Sequence, residues 1–313
     1  MRYIWKFLKT CLLLALLALV GAGFYAGNVV YEQLFYQSWD QALSIPNHRQ
    51  DLDRIHYLER YYDWDRVAVS SKDGTKLQGT YIEAPQKSHK TVIILHGLYQ
   101  NRTMSVPYTG IYRRLGYNVL LPDIRGHGES AGSTTDWGVH AVEDLDSWTA
   151  LLRQEDPQVE IGFHGISLGA AMSLIYAGSP QGQQARFYVA DSSYGDILEL
   201  GQGKLMDYTG DPRLLLGMKL INPFFQAAMY YHTHKVLADV DPAIQVAKMS
   251  SPVLFLHGTK DELIPMEVGE NLVNRSASRN KKLVLFQGSA HAVALATNPR
   301  DYRRTIRNFI QAL

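Results

Sequence analysis

The sequence predicts an α/β fold built on a mainly parallel, doubly wound sheet, and three observations predict it. Short Val/Ile/Leu-rich runs recur from residue 91 onward without polar alternation, as strands buried on both faces require. Between them lie stretches whose apolar residues have helical spacing. Strand and helix alternate, which is the order that produces parallel neighbours. With 46% hydrophobic and 19% charged residues in 313, the composition is globular and rules out a disordered or fibrous chain.

Taken in order, the first element is a membrane segment. Residues 10–31 carry no charge, and these 22 residues as a helix span about 33 Å, enough for a bilayer's hydrocarbon core. Arg2, Lys6 and Lys9 precede the run, and Glu32 and Asp40 are the first charges after it. The positive-inside rule then places the N-terminus in the cytoplasm and everything after Tyr31 outside, a single-pass anchor. The alternative is a signal peptide cleaved after Val20-Gly21-Ala22, although the run exceeds the roughly 7–15 residues of a signal core. Residues 1–31 are expected to form the anchor, 32–64 a connector, and 65–313 the folded domain.

Residues 67–69 and 77–82 flank Lys72-Asp73-Gly74-Thr75, a hairpin built on an Asp-Gly turn. Six buried strands follow in the runs TVIILHG, NVLLPD, VEIGFHG, FYVAD, PVLFLHG and KLVLFQG. Val142, Leu145, Trp148, Leu151 and Leu152 mark a helix, as do Tyr302, Ile306, Phe309 and Ile310 after the Asn298-Pro299 start. No strand is expected in 192–250, where Tyr, Phe, Met and Leu crowd together. That stretch reads as a helical lid insertion over the carboxyl edge of the sheet, where ligands bind in such folds.

Charge and cysteine content narrow the chemistry. Thirty-one basic against thirty acidic residues leave a net charge of +1, without the basic excess of a nucleic-acid binder. Cys11 is the one cysteine, so neither an intramolecular disulfide nor a cysteine-based zinc site can form. Hydroxyls, imidazoles and carboxylates remain.

Gly165-Ile166-Ser167-Leu168-Gly169 matches G-x-S-x-G between a strand run and a good helix, the context that motif needs. The turn is tight, so Gly165 and Gly169 supply the missing bulk and Ser167 is presented at a helix N-terminus. A serine nucleophile needs a base, and His291 is the only histidine after Asp261. The orienting acid should end a strand before it: Asp261 after PVLFLHG, or Asp191 at the end of FYVAD. The oxyanion hole should use the N–H of Leu168 and one from the loop after TVIILHG, Leu98 or Tyr99. His96 and His164 are expected to brace loops. Asp123 and Arg125 are expected to pair in a structural loop that lacks a phosphate-binding pattern. His127, His232 and His234 lack metal-ligand spacing, so neither metal nor cofactor is predicted.

Together HGLYQNR, DIRGHGES, HGISLGAA, HGTKDELIP and the GSAH histidine resemble the α/β-hydrolase superfamily over residues 66–313. Within it, the chain is similar to the bacterial, single-span, serine-aminopeptidase-like and monoglyceride-lipase-like branch. The resemblance implies Ser167 as nucleophile, Asp261 as acid, His291 as base, and Leu98 and Leu168 as oxyanion donors. Ile166 departs from the pattern, since relatives often carry histidine there, which bears on substrate subfamily.

The expectation is a serine hydrolase acting on a small-molecule carboxylic ester through an acyl-enzyme, with acylated or lipid-like substrates suggested by the anchor. Tyr99, Phe224, Phe225 and Met229 are expected to bind substrate, with residues 214–216 nearby. A peptidase or amidase with the same triad, or a non-catalytic surface binding module on this scaffold, are the alternatives.

Overall fold

Each of the six apolar runs becomes a buried strand or nearly so. In the computed structural model, which describes residues 1–132 and 136–313, an eight-stranded sheet forms among the described residues. Its strands are β1 (Asp65–Ser70), β2 (Lys76–Ile82), β3 (Lys90–Leu95), β4 (Asn118–Pro122), β5 (Glu160–Ile166), β6 (Phe187–Asp191), β7 (Val253–Gly258) and β8 (Lys281–Phe286). The spatial order is β1-β2-β4-β3-β5-β6-β7-β8, with β2 antiparallel to both neighbours and the rest parallel. The apolar runs explain the burial. Every residue of β4, β6 and β7 is buried, whereas the edge strand β1 alternates and β8 is mostly half-exposed.

The helices are α1 (Arg2–Tyr36), α2 (Asp53–Tyr62), α3 (Val106–Arg113), α4 (Ala141–Glu155), α5 (Leu168–Ala177), α6 (Ile197–Thr209) and α7 (Pro212–Thr233). They continue with α8 (Pro242–Gln245), α9 (Met266–Arg275), α10 (Ala294–Thr297) and α11 (Pro299–Gln311). The segment read as a helical insertion is helical and strand-free among the described residues. The loop expected to pair Asp123 with Arg125 is wired otherwise. Asp123 pairs with Arg102, while Arg125 reaches Asp144 at 2.5 Å and Asp73 at 2.7 Å. Both residues lie past the end of β4, in a loop where no strand alternation fixes which way each side chain points.

The chain divides into two units. One consists of Met1–Gln37 with Gln202–Leu237. Within it α1 and α7 meet at glycines. A Cβ on Gly27 would lie 2.4 Å from the Phe224 main chain, and one on Gly23 would lie 2.4 Å from the Phe224 ring. Small residues thus let the helices touch. Further along, His232 hydrogen-bonds Asn28 at 2.8 Å and stacks on Tyr31. By length and composition α1 can cross a membrane, with mean hydropathy 2.2 in its most apolar window. The other unit, Ser38–Gly201 with Ala238–Leu313, contains the whole sheet.

Candidate active site

The sheet topology creates the site. From β3 the chain turns to α3 and β4 on one side, and from adjacent β5 it turns to α5 and β6 on the other. A crevice opens at their carboxyl ends, where the connections diverge. Ser167 stands there, between β5 and α5, at φ 53° and ψ −114°. That backbone is strained for any residue with a Cβ, and such strain is characteristic of functional turns. The residues two before and two after it must be glycine. A Cβ on Gly165 would lie 2.2 Å from the Gly169 carbonyl oxygen, and one on Gly169 would lie 2.4 Å from the Leu95 carbonyl oxygen. The Ser167 N–H donates to the Asp191 main-chain oxygen at 2.8 Å, fastening the turn to the end of β6.

Asp261 and His291 arrive from the loops after β7 and β8. Those loops are laced together by Thr259 N–H to Phe286 O at 3.0 Å and Lys260 N–H to Ser289 O at 2.9 Å. The result is one continuous line. Ser167 Oγ lies 2.8 Å from His291 Nε2, and His291 Nδ1 lies 2.8 Å from Asp261 Oδ2. With Nδ1–H donating to the carboxylate, Nε2 is free to accept from the serine. The other carboxylate oxygen accepts from the N–H groups of Leu263 at 3.1 Å and Ile264 at 2.8 Å. Burial opposes ionisation of Asp261, but hydrogen bonds from His257, His291 and Ile264 outweigh it and hold its carboxyl well below the usual range.

His257 escaped the sequence reading. It is buried, donates to the Ile264 carbonyl at 2.8 Å, and lies 3.4 Å from Asp261 Oδ2. Burial alone would lower its pKa, yet the Asp261 partner raises it. A His-Gly pair at a strand end was the available signal, but three others share it.

Asp191, the other acid considered, does not reach His291. Its carboxylate accepts from Tyr302 Oη at 2.7 Å and Ser192 Oγ at 3.0 Å. Tyr302 Oη also meets His164 Nε2 at 3.1 Å, and His164 Nδ1 meets Tyr112 Oη at 2.9 Å. Ser192 in turn accepts the N–H of Ala292 at 3.2 Å, directly after His291.

The Leu168 N–H is the first of α5 and has no carbonyl four residues back within the helix. Across the crevice the β3 loop approaches closely, since a Cβ on Gly97 would sit 3.5 Å from the Ser167 Cβ. Of the two residues considered there, Tyr99 is engaged: its N–H donates to His127 Nε2 at 3.2 Å. Its hydroxyl accepts from the Trp39 N–H at 2.6 Å, and the residue is buried. No such bond of the Leu98 N–H occurs among the described residues. His96 braces this loop, with Nδ1 on Gly97 O at 2.8 Å and Nε2 accepting from Ile124 N–H at 3.0 Å.

Beside Ser167 is a cavity lined by Leu43, Ile45, Leu98, Trp137, Leu168, Tyr194, Leu200, Leu263 and Ile264. The expected substrate residues of the insertion are not among them. Phe224 is engaged with Gly23 and Gly27 in its own unit, and Phe225 and Met229 are buried. A crowd of apolar residues is a composition signal, and helix packing satisfies it as well as a pocket does.

A sequence profile of the alpha/beta hydrolase family matches residues 92–305. The chain is 30% identical to the uncharacterized protein YqkD of Bacillus subtilis over 266 residues, covering 84% of this chain and 85% of that one. Among solved structures it resembles the esterase Pf2001 of Pyrococcus furiosus, with TM-score 0.65 and 22% identity over 81% of this chain and 95% of that one. An esterase of Exiguobacterium antarcticum matches with TM-score 0.56 and 18% identity, over 78% of this chain and 99% of that one.

Proposed function

The chain belongs to the alpha/beta hydrolase family, and on that premise we propose that it is a serine esterase of the Ser167–His291–Asp261 type. The observation that carries the reading is the unbroken line of 2.8 Å contacts from Ser167 Oγ through His291 to Asp261. In the reaction, Ser167 Oγ attacks the ester carbonyl while His291 Nε2 takes its proton. The oxygen, now negative, is met by the N–H groups of Leu98 and Leu168. His291 then gives its proton to the departing alcohol, leaving an acyl-enzyme. Water attacks this ester, its proton passing to His291, and the acid leaves as Ser167 is restored. Asp261 stays ionised throughout, holding the imidazole in its tautomer and stabilising it when charged.

Carboxylic esters are the favoured class because the cavity beside Ser167 offers hydrocarbon walls to an acyl group. The relatives described above as esterases fit this reading. The long apolar α1 supports a single-span anchor, with the positive charges of Arg2, Lys6 and Lys9 holding the N-terminus in the cytoplasm and the catalytic domain outside. Fluorophosphonate labelling of the detergent-solubilised full chain tests the nucleophile. Label mapped to Ser167 in wild type and lost in Ser167→Ala is the expected result; a folded wild type that takes no label overturns it. Turnover of p-nitrophenyl esters over aminoacyl amides is expected next, and amide-only turnover overturns the esterase assignment.

A further inference from the structure

We propose that the connector is part of the active site: Leu43 and Ile45 form the outer wall of the acyl cavity and select acyl-chain length. The inference rests on the serine-esterase reading above and adds a specificity element that lies before the sheet in sequence.

The cavity beside Ser167 is small, about 20 Å³, room for little more than one water. Its walls are hydrocarbon, and its one hydroxyl besides Ser167, that of Tyr194, is spent on the Trp137 carbonyl at 3.0 Å. The cavity is open on one side, so an acyl chain longer than an acetyl group must run out along whichever wall can yield. Most of the wall cannot. Leu98, Trp137, Leu168, Tyr194 and Ile264 are buried and packed into the domain. Leu43, Ile45, Leu200 and Leu263 are half-exposed, but Leu200 lies in α6 and the Leu263 N–H is held by Asp261 at 3.1 Å, whereas Leu43 and Ile45 stand in a segment without regular helix or strand.

That segment is pinned to the domain at its ends and folded on itself between them, Asn47 Nδ2 donating to Asp40 Oδ2 at 3.1 Å. Trp39 N–H donates to Tyr99 Oη at 2.6 Å on one side, and His48 N–H donates to the Tyr99 carbonyl at 2.8 Å on the other. Asn101 Nδ2 adds bonds to the His48 and Asp51 carbonyls at 2.8 and 3.0 Å, and Gly128 N–H reaches the Arg49 carbonyl at 3.0 Å. Both ends are therefore pinned to the loop that carries Leu98. Between the pins, Leu43 and Ile45 are braced only by local turns, Leu43 N–H to Trp39 O and Ile45 N–H to Asp40 O, both 2.9 Å. The wall is adjustable while the oxyanion loop beneath it stays fixed.

The test measures the rate at which Ser167 is phosphonylated by a methyl and by an octyl phosphonofluoridate, using the detergent-solubilised full chain. Ser167 Oγ forms the new bond to phosphorus as fluoride leaves, and the phosphorus-bound alkyl group stands in for the acyl chain. Leu43→Ala with Ile45→Ala is expected to raise the octyl-to-methyl rate ratio by about tenfold, the scale on which hydrophobic pockets discriminate chain length. Leu43→Trp, which fills the cavity and keeps the segment apolar, is expected to lower it. An unchanged ratio in both variants overturns the proposal and leaves the esterase reading intact. A folded wild type labelled by neither probe overturns both.

Discussion

Two assemblies of hydroxyl, imidazole and carboxylate stand side by side in this molecule, and the proposed function assigns reactivity to one of them. In the first, Ser167, His291 and Asp261 join by 2.8 Å contacts at the crevice, with the His291 side chain 19% exposed. In the second, Tyr112, His164, Tyr302 and Asp191 join by contacts of 2.9, 3.1 and 2.7 Å in the interior, where His164 has no exposure. The residue types nearly repeat; the environments do not. Asp261 collects several donors and is held ionised, whereas burial pushes the Asp191 carboxyl up despite its two hydroxyl partners. The first line has a serine on a strained turn, a partly exposed imidazole and helix-terminal N–H groups nearby. The interior line runs from Tyr112 through His164 and Tyr302 to Asp191, and ties α3 and α11 to strands β5 and β6.

The largest effect that could break this comparison is on turnover. Ser167→Ala is expected to lower kcat by at least about 10⁴-fold, and Asp261→Asn by about 10³–10⁴-fold, with folding stability little changed. Asp191→Asn keeps an oxygen for the Tyr302 and Ser192 hydroxyls and leaves the main-chain acceptor of Ser167 intact. It is expected to retain most activity in the same ester assay. Equal losses for Asp191→Asn and Asp261→Asn would return Asp191 to the acid's role.

The two lines also differ in how far the sequence discloses them. Ser167 is legible because its turn is local: a strand run, two glycines and a helix within a dozen residues. His291 and Asp261 are legible because each sits in the loop that follows a strand run and the order of the chain leaves few choices. The interior line joins Tyr112, His164, Tyr302 and Asp191 across a separation of 138 residues between two partners, and no local pattern marks it. The same holds for Asp123 and Arg102, and for Leu43 and Ile45 at the cavity. Strand order is set by backbone pattern, but which side chains meet depends on crossovers that composition and period do not encode. Phe224 shows the converse hazard, since an apolar residue in an insertion can be consumed by a neighbouring helix.

A second measurement sharpens the contrast through stability. His164→Ala removes a fully buried ring and leaves the Tyr112 and Tyr302 hydroxyls without it. The cavity and the orphaned hydroxyls together are expected to cost about 3–5 kcal/mol in urea unfolding. Ester turnover per folded molecule should change far less than in Ser167→Ala. A variant that is inactive yet as stable as wild type would mean that the interior line takes part in the chemistry.

The smallest effect is a proton count, and it separates a structural imidazole from a working one. Burial pulls the His164 pKa from 6.5 to about 3, with Tyr112 donating to Nδ1 and Nε2–H donating to Tyr302. The unfolded chain binds a proton at this residue as pH falls through 6.5, and the folded chain does not until about 3. Between those values unfolding takes up one proton here, so stability falls as pH falls, by about 1.4 kcal/mol per pH unit. Burial acts the same way on His96, to about 4, and His127, to about 3, so these three histidines together take up about three protons on unfolding near pH 5. His257 adds nothing to that slope. Its pKa is raised in the fold, so its contribution is already complete below 6.5. His164→Gln, which keeps a polar group and cannot titrate, should reduce the slope of unfolding free energy against pH by one proton's worth. An unchanged slope would mean that His164 is already charged in the folded protein, its charge facing Asp191 across the Tyr302 hydroxyl, and would erase the distinction drawn between the two assemblies.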